Sequence, residues 1–201
     1  MTLNFNDVTP DTTSGEFELI PTNTVARATL QLEGGDIEIT EFGRGNFFKA
    51  SQGGGRAKWM PLVFTIVGGN FNGRKVWHRL FVDGDKMSDR NQPIAKEIGM
   101  RTMRSIIESA RNIKPDDTSP NAQQLRNLNS IEDLNGMELC IKIGIEKGTN
   151  GYADRNKMIV PLTPADSSFI TGQQSPTQQQ ATTQPTQQSS SQNGNVPDWA
   201  K

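Results

Sequence analysis

AKWMPLVFTIVGGNFNGRKVWHRLFV, residues 57–82, is the stretch that decides the fold. Two mainly apolar runs, residues 57–67 and 74–82, flank a short turn rich in glycine and asparagine. Asn72-Gly73 inside that turn is typical of tight hairpins, because both residue types tolerate positive φ angles. The pattern predicts two antiparallel strands joined as a β-hairpin.

Alternation within these two runs separates a core face from an outer face, because successive side chains of a strand point to opposite sides of the sheet. The predicted core residues are Met60, Leu62, Phe64, Ile66, Val76, Leu80 and Val82. A hairpin then places Trp59 and Trp77 on one outer face beside Lys75 and Arg79. In the alternative arrangement the sheet is buried on both sides, and the two tryptophans belong to a core.

The remaining elements are predicted around this hairpin. Strand signals cover residues 25–32, with 37–42 continuing the same strand after a turn, and then 137–145 and 156–162; a glycine-rich loop covers 43–55. Apolar residues at helical spacing predict a helix that begins at Pro93 and is ended by Pro115. The fold is therefore expected to be mainly β with one main helix: an OB-like five-stranded barrel with its helix between strands 3 and 4. Other small α+β folds share this order of elements.

Composition divides the chain into three parts. In residues 165–201, 23 of 37 residues are Gln, Ser, Thr or Pro. Such a stretch buries too little apolar surface to offset the entropy lost on ordering. We predict an irregular N-terminal segment at 1–24, an OB-like domain at 25–164 and a disordered tail at 165–201.

Charge is distributed unevenly although the whole chain has a net charge of −1. Residues 42–82 contain seven Lys and Arg, no acid, and eight of the thirteen aromatic residues. Cations that neutralise phosphates, interleaved with rings that stack on bases, are typical of single-stranded nucleic-acid binding. The candidate binding residues are Arg44, Phe47, Lys49, Arg56, Lys58, Trp59, Arg74, Lys75, Trp77 and Arg79. Alternatively, the Lys and Arg residues form an ordinary solvated face, and Phe47 and Phe48 close one end of a barrel.

Other residue types argue against enzymatic function. The chain has one cysteine, Cys140, and one histidine, His78, so a catalytic triad, a histidine-rich metal site and an internal disulfide are not expected. No P-loop or calcium-loop motif is complete. No run approaches the roughly 20 apolar residues of a membrane span, and no secretory signal is visible. We expect a non-enzymatic cytoplasmic protein with no cofactor, no metal and no membrane partner.

Residues 64–80, FTIVGGNFNGRKVWHRL, resemble a phage-encoded family of proteins from replication and recombination modules. Many members are described as single-stranded DNA-binding proteins. The family pattern continues here in residues 95–99 and 134–143, and the resemblance covers about residues 25–162. It implies sequence-nonspecific single-stranded DNA binding in phage DNA replication or recombination, in the bacterial host cytoplasm, and carries no catalytic residue over.

The C-terminal region resembles the tails of bacterial single-stranded DNA-binding proteins, which end a Gln- and Ser-rich linker in a short tip that recruits other proteins. Here the tip contains Pro197, Asp198 and Trp199, but it is less acidic than the bacterial tip and ends in Lys201. The resemblance implies replication or recombination proteins as partners. A tail that confers only solubility or self-association is the alternative for this region, and a homo-oligomer is compatible with the sequence. For the whole protein, the alternative is a protein–protein adaptor without DNA binding.

Overall fold

The structure is a computed structural model, and it describes residues 18–149 and 151–171. The predicted recruitment tip, Pro197, Asp198 and Trp199, lies outside the described residues. The same holds for residues 1–17 of the predicted N-terminal segment and for residues 172–201 of the predicted tail.

One antiparallel sheet of six strands and one main helix make up the described fold. The strands are β1 (Thr24–Leu32), β2 (Lys49–Ala50), β3 (Lys58–Val67), β4 (Lys75–Asp83), β5 (Glu138–Glu146) and β6 (Arg155–Leu162). The helices are α1 (Ile94–Ala110) and α2 (Pro120–Leu125), with 3-10 turns at Thr40–Phe42 and Ile131–Leu134. Pairing runs in the order β4-β3-β1-β5-β6, and the short β2 pairs with the start of β3.

The first hairpin is confirmed, with β3 and β4 paired from Lys58↔Asp83 to Thr65↔Lys75. All seven predicted core residues of the hairpin are buried, as are Leu139 and Ile141 of β5. Helix α1 covers the same side of the sheet with Met103 and Ile106. The outer residues of β4 are therefore left on the side of the sheet that α1 does not cover.

The prediction of a strand at residues 37–42 is wrong. Ile37 forms only an isolated bridge with Phe48, and Thr40–Phe42 is a 3-10 turn. The chain folds back tightly here. Gly35 lies so close to Phe48 that a Cβ atom at Gly35 would be only 2.1 Å from the Phe48 backbone oxygen. The structure adds a short strand, β2, within residues 43–55, for which the sequence predicts a loop.

Helix α1 ends earlier than Pro115, at Ala110. Asn112 adopts a left-handed φ of 54°, and the Ile113 N–H donates to the Glu108 carbonyl oxygen at 2.8 Å. This geometry terminates a helix before a proline is needed.

Helix α1 packs closely on β4, which fixes the border of the exposed sheet face. A Cβ atom at Gly99 would lie 2.2 Å from the Phe81 carbonyl oxygen, so only glycine allows this approach. In the part of the chain that the structure describes, neither helix is long and apolar enough to cross a membrane.

Candidate nucleic-acid interface

The outer face of the β3–β4 hairpin carries the aromatic residues that the sequence singled out. Opposite residues on this face are Trp59 and Phe81, Pro61 and Arg79, Val63 and Trp77, and Thr65 and Lys75. Trp77 is 50% exposed and Phe81 is 42% exposed, whereas Trp59 is partly buried. The predicted placement of Trp59 and Trp77 on one outer face is confirmed. We call Trp59, Trp77, Arg79 and Phe81 the hairpin platform.

Ring contacts order the platform. The ring centroids of Trp59 and Phe81 lie 5.9 Å apart with an interplanar angle of 51°. The Arg79 guanidinium carbon lies 5.4 Å from the Trp59 ring centroid, which is cation–π distance. The Trp77 indole N–H donates to Oε1 of Glu33 at 3.0 Å. Exposed aromatic rings with an attached cation are the arrangement that stacks bases and meets phosphates.

A groove of about 820 Å³ adjoins the platform, and we call it the seam groove. It lies where β4 and β6 approach each other without a hydrogen-bonded ladder among the described residues. Besides the platform, its walls include Ile94, Ile98 and Thr102 of α1 and Arg155, Lys157 and Ile159 of β6. Ile98 is 56% exposed, so the groove continues the apolar surface of the platform onto the helix.

Carboxylates engage some of the cations along this groove. Glu146 accepts from Arg155 Nε at 2.6 Å and lies 3.7 Å from Lys157 Nζ. The Arg155 hydrogen bond, aided by the charges of Arg155 and Lys157, lowers the pKa of the Glu146 carboxyl below its usual value. This carboxylate is therefore ionised at neutral pH and competes with any phosphate for the same two cations.

The predicted binding residues divide into three groups. Lys49, Trp59, Trp77 and Arg79 line the seam groove, and Lys75 lies beside Trp77 on the same face. Arg56 and Lys58 instead bind Asp83, at 3.7 and 3.4 Å. Arg74 donates to the Glu18 carbonyl oxygen at 3.0 Å, Arg44 is exposed in the loop before β2, and Phe47 packs against the core. Their roles in binding stay predictions.

Residues 42–82 contain no acid, but acidic side chains from outside this segment lie close to its Lys and Arg residues. Asp83 follows immediately in sequence, and Glu33 reaches the face from the end of β1. Phe48, the second aromatic of the loop pair, is a core residue with 1% exposure. Its neighbour Phe47 is partly buried against the same core.

His78 lies on the inward side of β4, partly buried as its alternation predicts. Burial and the nearby charge of Lys157 lower its pKa from 6.5 to about 4. Glu146 and a hydrogen bond with the Met158 backbone act in the opposite direction. At neutral pH the imidazole is therefore uncharged and forms part of the contact between β4 and β6.

Sequence reasoning missed Glu33, Ile98, Arg155 and Lys157 as groove residues. The signal for the last two was their alternation along β6, where Arg155, Lys157 and Ile159 share one side. Nothing in the local pattern indicates that β6 lies beside β4, more than 70 residues earlier in the chain.

Among residues 18–149 and 151–171, no group of three His, Cys, Asp or Glu side chains is placed to hold a metal ion. A scan against models of known protein families finds no match, and no curated protein has a significantly similar sequence.

Proposed function

We propose that this protein binds single-stranded DNA with little sequence specificity. The observation that carries the proposal is Trp77, half exposed on an open sheet face within the hairpin platform. Burying a large ring is favourable in folding, so a ring left in solvent beside cations favours a ligand that covers it. Nucleobases cover such rings by stacking, and the phosphates between them meet the cations.

A single strand suits the platform better than a duplex. Stacking needs an exposed base face, and bases inside a duplex have no free face to offer. Lys49, Lys75 and Arg79 lie on or beside the platform and supply cations at its edges. With the cations of β6, about four phosphates can be neutralised together.

The finer fold assignment, an OB-like barrel, is part of this proposal. Support comes from the strand order β4-β3-β1-β5-β6 and from the position of α1 between β4 and β5. OB folds bind oligonucleotides across the face formed by their second and third β-strands, which correspond here to β3 and β4. Replication or recombination of phage DNA in a bacterial host is proposed from the family resemblance of residues 64–80, 95–99 and 134–143.

The decisive experiment is a titration of oligo-dT at two salt concentrations, followed by intrinsic tryptophan fluorescence. We expect quenching, and a slope of log K against log salt of about −3, from about −0.7 per phosphate contact. A duplex of equal length should bind more weakly. A flat salt response, or equal affinity for the duplex, contradicts the proposal.

An adaptor that binds another protein and no DNA is the second candidate function. It is favoured by the exposed apolar side chains of Ile94, Ile98 and Ile159 around the seam groove. The two functions separate in one comparison, because an adaptor shows no oligo-dT shift while it still co-purifies a partner. Truncation after residue 171 removes the predicted recruitment tip and retains every described residue, so loss of a partner from a truncated protein with the wild-type melting temperature assigns recruitment to the tail.

A further inference from the structure

Glu33 is the one groove residue that hydrogen-bonds directly to a platform ring among the described hydrogen bonds. Its Oε1 accepts from the Trp77 indole N–H at 3.0 Å, while its own backbone N–H donates to the Pro61 carbonyl oxygen at 3.2 Å. Pro61 belongs to β3, the strand that pairs with the strand of Trp77. The backbone of Glu33 is therefore anchored to the sheet that carries the ring.

The loop after Glu33 is also held in place. Gly34 adopts a φ of 79°, and the Gly35 N–H donates to the Asn46 carbonyl oxygen at 2.7 Å. Gly35 additionally packs against the Phe48 backbone so closely that no Cβ atom fits. These constraints fix where the Glu33 side chain starts, so its carboxylate reaches Trp77 from a defined point.

An exposed indole on a sheet face would otherwise exchange between rotamers. A hydrogen bond from its N–H removes part of that freedom before a ligand arrives, so less entropy is lost when a base stacks. The same carboxylate places a negative charge beside the surface where phosphates approach.

We propose that Glu33 is a positioning residue that holds the Trp77 ring in its base-stacking orientation and, through its charge, limits affinity for the strand. This inference rests on the proposed single-stranded DNA binding. It separates two effects of one side chain, a hydrogen bond that strengthens binding and a charge that weakens it.

Glu33→Gln and Glu33→Ala distinguish the two effects, because both remove the charge and only Gln retains an acceptor. We expect Glu33→Gln to bind oligo-dT about twofold more tightly than the wild type at low salt, and the gain to shrink as salt screens the charge. Glu33→Ala should bind about three- to tenfold more weakly than Glu33→Gln, the range that one modest hydrogen bond supports.

Trp77→Phe provides the matched background, since phenylalanine stacks but has no N–H to donate. In this background Glu33→Gln and Glu33→Ala should bind oligo-dT equally. If Glu33→Gln and Glu33→Ala still differ in oligo-dT affinity in the Trp77→Phe background, the positioning role is overturned. Equal binding by the two variants in the tryptophan background overturns it as well, and Glu33→Gln binding no tighter than the wild type overturns the effect of charge.

A measurement without DNA separates this inference from the proposed function. Each tryptophan gives one indole signal in a ¹H–¹⁵N correlation spectrum, and the Trp77 signal is the one lost in Trp77→Phe. Glu33→Ala should move that signal and speed its exchange with water, while Glu33→Gln should change it less. An unchanged signal overturns the contact even if oligo-dT binds. A wild-type protein that binds no oligo-dT overturns the function proposed for the ring, whatever the spectrum shows.

Discussion

The outer face of the sheet is open over β4 and covered at Cys140 of β5. Trp77 and Phe81 are 50% and 42% exposed, whereas Cys140, on the same face of β5, is 1% exposed. Residues after β6 cover the cysteine: the Ile170 N–H donates to its sulfur at 3.5 Å, and Asp166 closes the turn before it. Burial accordingly raises the pKa of the Cys140 thiol.

The contrast shows that the platform is not exposed merely because the chain has no segment that could cover it, since a segment of the same chain covers Cys140. A small side chain is buried under a folded segment, while two large rings on the same face remain in solvent. Burying an aromatic ring would contribute more than burying a thiol. Folding therefore accounts for the covered half, and the open half is the surface to which the proposed ligand is assigned.

The largest expected effect is on the open half. Trp77→Ala should weaken oligo-dT binding by about 1–3 kcal/mol, the range for one stacked base, with little change in melting temperature because the ring is half exposed. Trp59→Ala should weaken binding similarly and also lower the melting temperature, because Trp59 packs on Phe81. Fluorescence titration and thermal melts measure the two quantities.

Met100→Ala is the matched control for these variants. Met100 is 47% exposed on α1 and does not line the groove, so its removal should leave oligo-dT affinity unchanged. A Trp77→Ala protein that keeps its affinity but melts much earlier would make the tryptophan a structural residue.

The stability of the fold should depend on pH through His78, which lies in the contact between β4 and β6 beside the hairpin platform. Its pKa is about 4 in the fold and 6.5 when unfolded, so the unfolded chain binds the proton first as pH falls. Stability is therefore full above pH 6.5 and decreases toward pH 4, by about 2 kcal/mol between pH 7 and pH 5. Urea unfolding at both pH values measures this loss, and His78→Gln should remove most of it. A variant with the wild-type pH dependence would contradict the assignment to His78.

On the covered half, Asp166 should control access to Cys140. Its Oδ2 accepts from the Thr163 N–H at 2.7 Å and from the Thr163 hydroxyl at 2.9 Å. Asp166→Ala removes this acceptor, and we expect labelling of Cys140 by a thiol reagent to accelerate about tenfold. Asp166→Asn, which loses the charge but keeps an acceptor, should stay near the wild-type rate. Unchanged oligo-dT affinity in both variants would confirm that the two halves act separately.

The smallest expected effect concerns the cations of β6. Glu146→Gln releases Arg155 and Lys157 from their carboxylate, so oligo-dT affinity should rise about twofold and its salt dependence should steepen. Glu138→Gln is the control, because Glu138 binds Arg27 at 2.6 Å in a comparable ion pair that lies outside the groove. Equal gains from both variants would mean that overall charge, rather than the groove, sets the affinity.

Local sequence pattern determined the central hairpin of this protein and the faces of its two strands. Strand alternation has a period of two, so it assigns each residue of β3 and β4 to the core or to the outer face without knowledge of any partner. The hairpin turn is equally local, because the Gly68 N–H donates to Oδ1 of Asn72 and Gly73 adopts a φ of 78°. For the same reason the core residues of the hairpin and its outer tryptophans were predictable.

Only the tertiary structure decided what lies next to that hairpin. Arg155 and Lys157 reach the groove because β6 approaches β4, and Glu33 reaches Trp77 because the loop after β1 folds back on Phe48. Likewise Arg126, just after α2, donates to Glu108 of α1, whose side chain is buried at 2% exposure. Each of these contacts depends on packing between distant segments, and side-chain periodicity contains no information about which distant segment becomes a neighbour.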